Sequence, residues 1–149
     1  MLLSVISTSF AEDYYNCFGV IAGKNTTKDG YVILAHNEDD AGELMINFYA
    51  GEKYLWQEIP GFEASDAFLN RHGVAIVSDS CHSREDTENY TDGGIYHNLR
   101  VQVAERARTA REGVRIIGEL VEKYGYRGSG RTYLLADSEE GWAVSVVKG

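Results

Sequence analysis

The sequence has few of the features of cross-linked, membrane-spanning or nucleic-acid-binding proteins. Its 149 residues include two cysteines, Cys17 and Cys81, which are too few for a disulfide framework and do not form a C-x-x-C metal or redox motif. No apolar run approaches the roughly 20 residues that a membrane-spanning helix needs. Fourteen Lys and Arg against 23 Asp and Glu give a net charge of -9, which repels phosphate backbones and anionic lipids. We therefore expect neither a nucleic-acid nor a membrane partner.

What is present fits one globular domain, because 44% of the residues are hydrophobic and 25% are charged. Residues 1–11 form a short apolar run that ends in small residues, like the core and cleavage end of a secretory signal. No basic segment precedes this run, so it is also compatible with a first strand. We predict a leader and propeptide over residues 1–16, a single domain over 17–149, and a secreted or periplasmic location, with a cytoplasmic location as the alternative.

The first strands place a cysteine beside a polar cluster. Residues 17–22 and 31–35 are apolar and β-branched, and the turn signal that ends in Gly30 separates them. Antiparallel pairing of these strands brings Cys17 to the same end of the hairpin as the segment 36–40, which contains His36, Asn37 and Asp39.

The rest of the chain predicts more strands around one helix. Apolar residues recur at steps of three and four over residues 99–124, which predicts a single amphipathic helix. Short strands are predicted at 44–50, 53–59, 68–70 and 74–77 before the helix, and at 132–136 and 142–147 after it. This order predicts an α+β fold of stacked sheet and helix layers.

Cys17 has a chemical use if the peptide bond before it is cut. The freed α-amine has a pKa close to that of a thiol, so the nucleophile carries its own base and can form an acyl-enzyme. Asp39 is the carboxylate best placed to orient the amine, and His36 is a candidate for binding a substrate carboxylate. The alternative is that Cys17 is a small core residue and that the polar cluster is a solvated turn or a weak calcium loop.

Several motifs in order along the chain resemble peptidase family C69 (U34), dipeptidases among the cysteine N-terminal-nucleophile hydrolases. These are Cys17, the K-x-x-x-x-D-G turn at residues 24–30, the H-N-E-D motif at 36–39, the N-R-H-G-V-A-I segment at 70–76, the helical segment 105–112 and the segment 133–144.

The resemblance implies a four-layer αββα sandwich, self-removal of the segment before Cys17, and hydrolysis of dipeptides or other small amides without a metal or cofactor. The motif's final Asp falls on Asp39, and His36 stands where related amidases commonly have Arg. The family's oxyanion Asn is replaced by the stretch that contains Asp79 and Ser80. His36, Asn37, Asp79 and Ser80 are therefore the candidates for substrate or oxyanion binding.

A family domain is two to three times longer, and its second oxyanion Asn lies beyond the position of Gly149. We therefore expect an incomplete N-terminal portion of the sandwich, which a second chain or a homo-oligomer could complete. The competing functions are a C45-type acyltransferase, an amidase like the choloylglycine and penicillin V hydrolases, and a non-catalytic remnant or assembly subunit.

Overall fold

Two β-sheets and a layer of helices make up the structure, a computed structural model that describes residues 17–38, 47–58, 67–83 and 88–149. The predicted leader over residues 1–16 and the predicted catalytic Asp39 lie outside these residues. The elements are, in chain order, β1 (Phe18–Ala22), β2 (Ile33–Asn37), β3 (Asn47–Ala50), β4 (Tyr54–Glu58), β5 (Ala67–Asn70), β6 (Ala75–Ser80), α1 (Asn98–Arg106), α2 (Ala110–Tyr124), β7 (Gly130–Ala136) and β8 (Gly141–Val147).

Strands β1 and β2 form the predicted antiparallel hairpin as a sheet of their own. Its turn includes Gly30 at a φ of 73°, a left-handed conformation that glycine adopts without steric cost. Strand β2 begins and ends two residues later than predicted. His36 and Asn37 therefore belong to the strand and not to a loop after it.

Strands β3 to β8 form a six-stranded antiparallel sheet in chain order. The predicted turn before β6 is confirmed and contains Gly73 at a φ of 78°. The predicted hairpin near the end of the chain is also confirmed, as β7 and β8. Strands β6 and β7 are neighbours in the sheet although both helices lie between them in the sequence, so the helices fold back over one face of the sheet.

The helices cover that face with the main hydrophobic core. Helix α1 packs on β5 and β6, and α2 packs on β7 and β8. The side chains at their contact are almost fully buried, among them Ile76 and Leu135 from the sheet and Leu99, Val103, Ile116 and Ile117 from the helices. Burial of an aliphatic side chain of this size stabilises the fold by about 1.5–3 kcal/mol.

The prediction of one continuous helix over residues 99–124 is wrong, because the chain leaves the helical conformation at 107–109. Ala107 and Thr109 are extended. The Thr109 side chain accepts a hydrogen bond from the Glu112 amide, and the Glu112 carboxylate accepts one from the Arg108 amide. These reciprocal bonds start α2 in the manner of a capping box. At the end of α1, the buried Asn70 side-chain amide donates a hydrogen bond to the Ala107 carbonyl.

The opposite face of the six-stranded sheet carries the β1–β2 hairpin, which contacts β6, β7 and β8. Glycine makes the close approach possible at one point, because a Cβ on Gly141 would lie 2.4 Å from a methyl carbon of Ile21. The described residues thus form three layers, hairpin, sheet and helices. The α+β class is confirmed, and the three layers are consistent with part of a four-layer sandwich. Within the described ranges, no helix has the length and apolar character to cross a membrane.

Candidate active site

Pairing of the two strands of the hairpin sets Cys17 opposite Glu38. The register pairs Phe18 with Asn37, and the next pair outward is Cys17 and Glu38. The half-buried Cys17 Sγ donates a hydrogen bond to Glu38 Oε1 at 3.3 Å. A thiol and a carboxylate in direct contact form a proton donor and acceptor pair at the start of the strand.

His36 joins this pair to the six-stranded sheet. Residues two apart in a strand share a face, so His36 lies on the same side of the hairpin as Glu38. Its Nε2 lies 2.9 Å from Asp79 Oδ1 on β6 and 3.7 Å from Glu38 Oε2. The side chains of His36, Glu38 and Asp79 are only 8%, 11% and 15% exposed. Because a carboxylate only accepts hydrogen bonds, His36 donates from Nε2 to Asp79.

Gly19 lets the hairpin approach the sheet closely enough for this contact. It pairs with His36 across the hairpin. A Cβ at Gly19 would lie 2.1 Å from the Leu134 Cδ1 methyl and 3.3 Å from Asp79 Oδ2. The absence of a side chain at Gly19 therefore sets the separation of the two β-layers at the site.

Two arginines hold the end of β6 from the helical side of the sheet. Arg131 Nη1 donates to the Ser78 carbonyl at 3.3 Å and to Ser78 Oγ at 2.9 Å, and its Nη2 donates to Ser80 Oγ at 3.1 Å. Arg100, which is 1% exposed, donates to the same Ser78 Oγ at 2.8 Å. The serines on either side of Asp79 are thus anchored on one face, which leaves Asp79 directed to the other.

The structure therefore brings together three of the residues predicted from the sequence, Cys17, His36 and Asp79. Asn37 and Ser80 are exposed. Asn37 is adjacent to His36 in β2 and Ser80 is adjacent to Asp79 in β6, so each points to the opposite face of its sheet. Sequence reasoning did not single out Glu38, although it stands in the same motif. The hairpin register was the signal that could have found it, since it places residue 38 across from residue 17.

The second cysteine lies apart from the cluster. Cys81 is exposed and follows β6, and the neighbouring His82 has its Nδ1 2.8 Å from Ser129 Oγ. No group of three or more His, Cys, Asp or Glu side chains suited to a metal ion occurs in the parts of the chain that the structure describes.

Comparison with known proteins gives consistent matches. The model of peptidase family C69 matches residues 80–149. A probable dipeptidase B of Streptococcus pyogenes serotype M1 is 26% identical over 183 aligned positions, which cover 99% of this chain and 36% of the relative. A probable dipeptidase of Latilactobacillus sakei is 26% identical over 168 positions, covering 89% and 35%.

The chain is similar to peptidase family C69 over residues 80–149. It spans about a third of the length of the curated relatives it matches. The family match includes Ser80, both helices and the β7–β8 hairpin, whereas Cys17, His36 and Glu38 precede it. The hairpin pairing and the contact with Glu38 place Cys17 in the site, and the segment matched by the family does not include it.

Proposed function

We propose that this chain carries the nucleophile of a dipeptide hydrolase, and that the nucleophile is Cys17 once the segment before it has been removed. The observation that carries the proposal is the contact of Cys17 Sγ with the Glu38 carboxylate beside the His36–Asp79 pair. The names of the relatives, probable dipeptidases, supply the substrate class.

In the proposed reaction the freed α-amine of Cys17 takes the thiol proton, and Sγ attacks the carbonyl carbon of the dipeptide. The peptide bond then breaks as the amine of the leaving amino acid receives that proton, which leaves a thioester on Sγ. Water hydrolyses the thioester and releases the second amino acid. Glu38 is well placed to orient the α-ammonium group, a role that the sequence alone suggested for Asp39.

We further propose that the complete fold is a four-layer αββα sandwich with a second layer of helices on the outer face of the hairpin. Support comes from the apolar character of that face. Phe18, Val20 and Ile33 are 58%, 51% and 51% exposed on it in the described residues. Large apolar side chains that are adjacent and exposed mark a surface suited to burial by another layer.

The test compares the intact mass and N-terminal sequence of the wild-type chain with those of Cys17→Ala. We expect the wild type to begin at Cys17 and Cys17→Ala to keep the upstream residues and to lose all dipeptide turnover. Cys81→Ala is the matched control, because it removes the exposed cysteine away from the cluster and should be processed normally. Identical upstream residues in wild type and Cys17→Ala would contradict the proposal.

Substrate class is tested by incubating the processed protein with a panel of dipeptides and a panel of N-acyl amides. We expect turnover of dipeptides, whose free amino group suits a site that contains two carboxylates, those of Glu38 and Asp79. Turnover of N-acyl amides alone would replace the dipeptidase assignment with an amidase or acyltransferase.

A further inference from the structure

Removal of the segment before Cys17 poses a problem that the mature mechanism does not. In the uncleaved chain the nitrogen of Cys17 is part of an amide, which is not a base, so it cannot take the thiol proton. Self-cleavage therefore needs a different proton acceptor. We propose that Glu38 is this acceptor and is thus a catalytic residue of the self-cleavage step; the inference depends on the proposed function.

The geometry of the hairpin supports this role. Glu38 Oε1 already accepts a hydrogen bond from Cys17 Sγ at 3.3 Å, so proton transfer needs no rearrangement. The contact follows from the backbone pairing of β1 with β2, which does not depend on cleavage before Cys17. The Glu38 side chain is 11% exposed, so water competes little for the carboxylate.

The proposed step balances as an N-to-S acyl shift followed by hydrolysis. Sγ attacks the carbonyl carbon of Asn16 while its proton moves to the Glu38 carboxylate. The bond from that carbon to the Cys17 nitrogen then breaks, and the Glu38 carboxylic acid returns the proton to the leaving nitrogen. The products are a thioester and a free α-amine on Cys17. Water hydrolyses the thioester and releases residues 1–16 as a carboxylic acid.

A carboxylic acid is a stronger acid than a thiol, so Glu38 does not ionise Cys17 outright. It accepts the proton as the bond from sulfur to carbon forms, which is general base catalysis and typically contributes about 10²–10⁴-fold in rate. The same group then acts as the general acid that makes the amide nitrogen a leaving group.

His36 and Asp79 act as positioning residues in this step. His36 Nε2 lies 3.7 Å from Glu38 Oε2, the oxygen that does not contact the thiol, and is itself held by Asp79 at 2.9 Å. The β6 strand thereby sets the position of His36, and His36 favours the orientation of Glu38 that directs Oε1 toward sulfur.

The experiment follows self-cleavage of the full chain by intact mass over time and over a range of pH. Wild type is compared with Glu38→Gln, which keeps the shape of the side chain, and with Glu122→Gln, a control at an exposed position of α2. We expect Glu122→Gln to match wild type and Glu38→Gln to be about 10²-fold slower or more. In Glu38→Gln the rate should rise about tenfold per pH unit, since hydroxide then has to ionise the thiol.

Two further measurements separate catalysis from a loss of folding. The melting temperature of Glu38→Gln establishes that this variant is folded. Formate should accelerate cleavage of Glu38→Ala but not of Cys17→Ala, because a small carboxylate can replace the missing base and cannot replace the missing nucleophile. Hydroxylamine cleaves a thioester directly. If it restores release of residues 1–16 from Glu38→Gln to the wild-type rate, the thioester forms without Glu38 and the proposal is overturned.

Cleavage of the wild-type chain and of the two variants distinguishes a wrong role for Glu38 from a wrong nucleophile. Cleavage of Glu38→Gln at the wild-type rate, while Cys17→Ala stays intact, overturns the role of Glu38 and leaves the nucleophile in place. If the wild-type chain keeps residues 1–16, as Cys17→Ala does, both the role of Glu38 and the assignment of Cys17 as the nucleophile are overturned.

Discussion

The two faces of the six-stranded sheet are built differently. The face under the helices is filled with aliphatic side chains that are nearly inaccessible to water, such as Ile76 and Leu135. The face under the hairpin holds His36, Glu38 and Asp79 in a polar cluster beside Cys17. One face therefore carries the main hydrophobic core of the described residues, and the other carries the groups that can transfer protons. Changes of the same size on the two faces should have different consequences.

The largest effect on stability is expected from one added methyl group under the helices. A Cβ at Gly113 in α2 would lie 2.4 Å from Leu135 Cδ2 and 3.1 Å from Val103 Cγ1, both in side chains that are completely buried. Overpacking of this kind costs about 1–3 kcal/mol, which outweighs the roughly 1 kcal/mol that Ala gains over Gly in a helix. Gly113→Ala should lower the melting temperature.

Gly118 in the same helix is the matched control for that change. A Cβ there meets no atom within 4 Å, so only the gain in helix propensity remains. Gly118→Ala should raise the melting temperature measured by circular dichroism. A higher melting temperature for Gly113→Ala would contradict the packing of α2 against β7.

The next effect is expected at the hairpin, where the added methyl group should act on the site. A Cβ at Gly19 would overlap Leu134 and crowd Asp79, so Gly19→Ala should move the hairpin away from the sheet and lengthen the His36–Asp79 hydrogen bond. Displacements of about 1 Å at a reactive site cost up to roughly 10²-fold in rate. We expect self-cleavage to slow about tenfold to a hundredfold at a temperature at which the protein is folded.

Gly23→Ala controls for the loss of a glycine near the same strand, because a Cβ there meets no atom within 4 Å. It should cleave at the wild-type rate. The imidazole nitrogen signals of His36 in a ¹⁵N-labelled sample give a direct measure of the hydrogen bond. If Gly19→Ala leaves both these signals and the cleavage rate unchanged, the described docking of the hairpin is wrong.

The smallest effect is expected at the junction of α2 with the β7–β8 turn. Burial raises the pKa of Asp137, but hydrogen bonds from the amides of Ala110, Glu139 and Glu140 prevail and lower it. A carboxyl with a lowered pKa stabilises the fold above its unfolded pKa of about 4, and this contribution is lost as the pH falls through the lower folded value.

Asp137→Asn should therefore reduce the free energy of unfolding by roughly 1 kcal/mol at neutral pH, because the amide replaces one of the two accepting carboxylate oxygens by a donor group. Its stability should also change less than that of wild type as the pH falls from 6 to 2, measured by urea unfolding. Asp29→Asn, at an exposed position of the β1–β2 turn, should follow the wild-type curve. Parallel curves for Asp137→Asn and wild type would rule out this role of Asp137.

Much of the fold was predictable because local patterns and local contacts agree. The first hairpin, the turn before β6 and the last hairpin each join neighbouring strands, so apolar runs and turn residues were sufficient to place them. The break between the helices was missed because both helices bury a stripe against the same sheet, and the spacing of three and four continues across residues 107–109. The capping pair of Thr109 and Glu112 was the local signal for the break.

The candidate site was predictable only in part. Antiparallel pairing of the two apolar runs is enough to predict that Cys17 lies near His36. The choice of Glu38 over its neighbours depends on the register of that pairing, because a shift of one residue would move Glu38 to the other face of the hairpin. The contact of His36 with Asp79 joins residues 43 apart and exists because two separate sheets stack. No local pattern in the sequence specifies that distance.

The resemblance to peptidase family C69, the α+β class, the first and last hairpins and the proximity of Cys17 to His36 could all be read from the sequence, because each depends on residue types or on contacts between neighbouring elements. The tertiary structure decided which face of the sheet receives the helices, that Asn37 and Ser80 point away from the cluster, and that Glu38 and Asp79 enclose His36. These outcomes depend on how closely two layers approach, and a glycine such as Gly19 sets that distance only when its partner layer is in place.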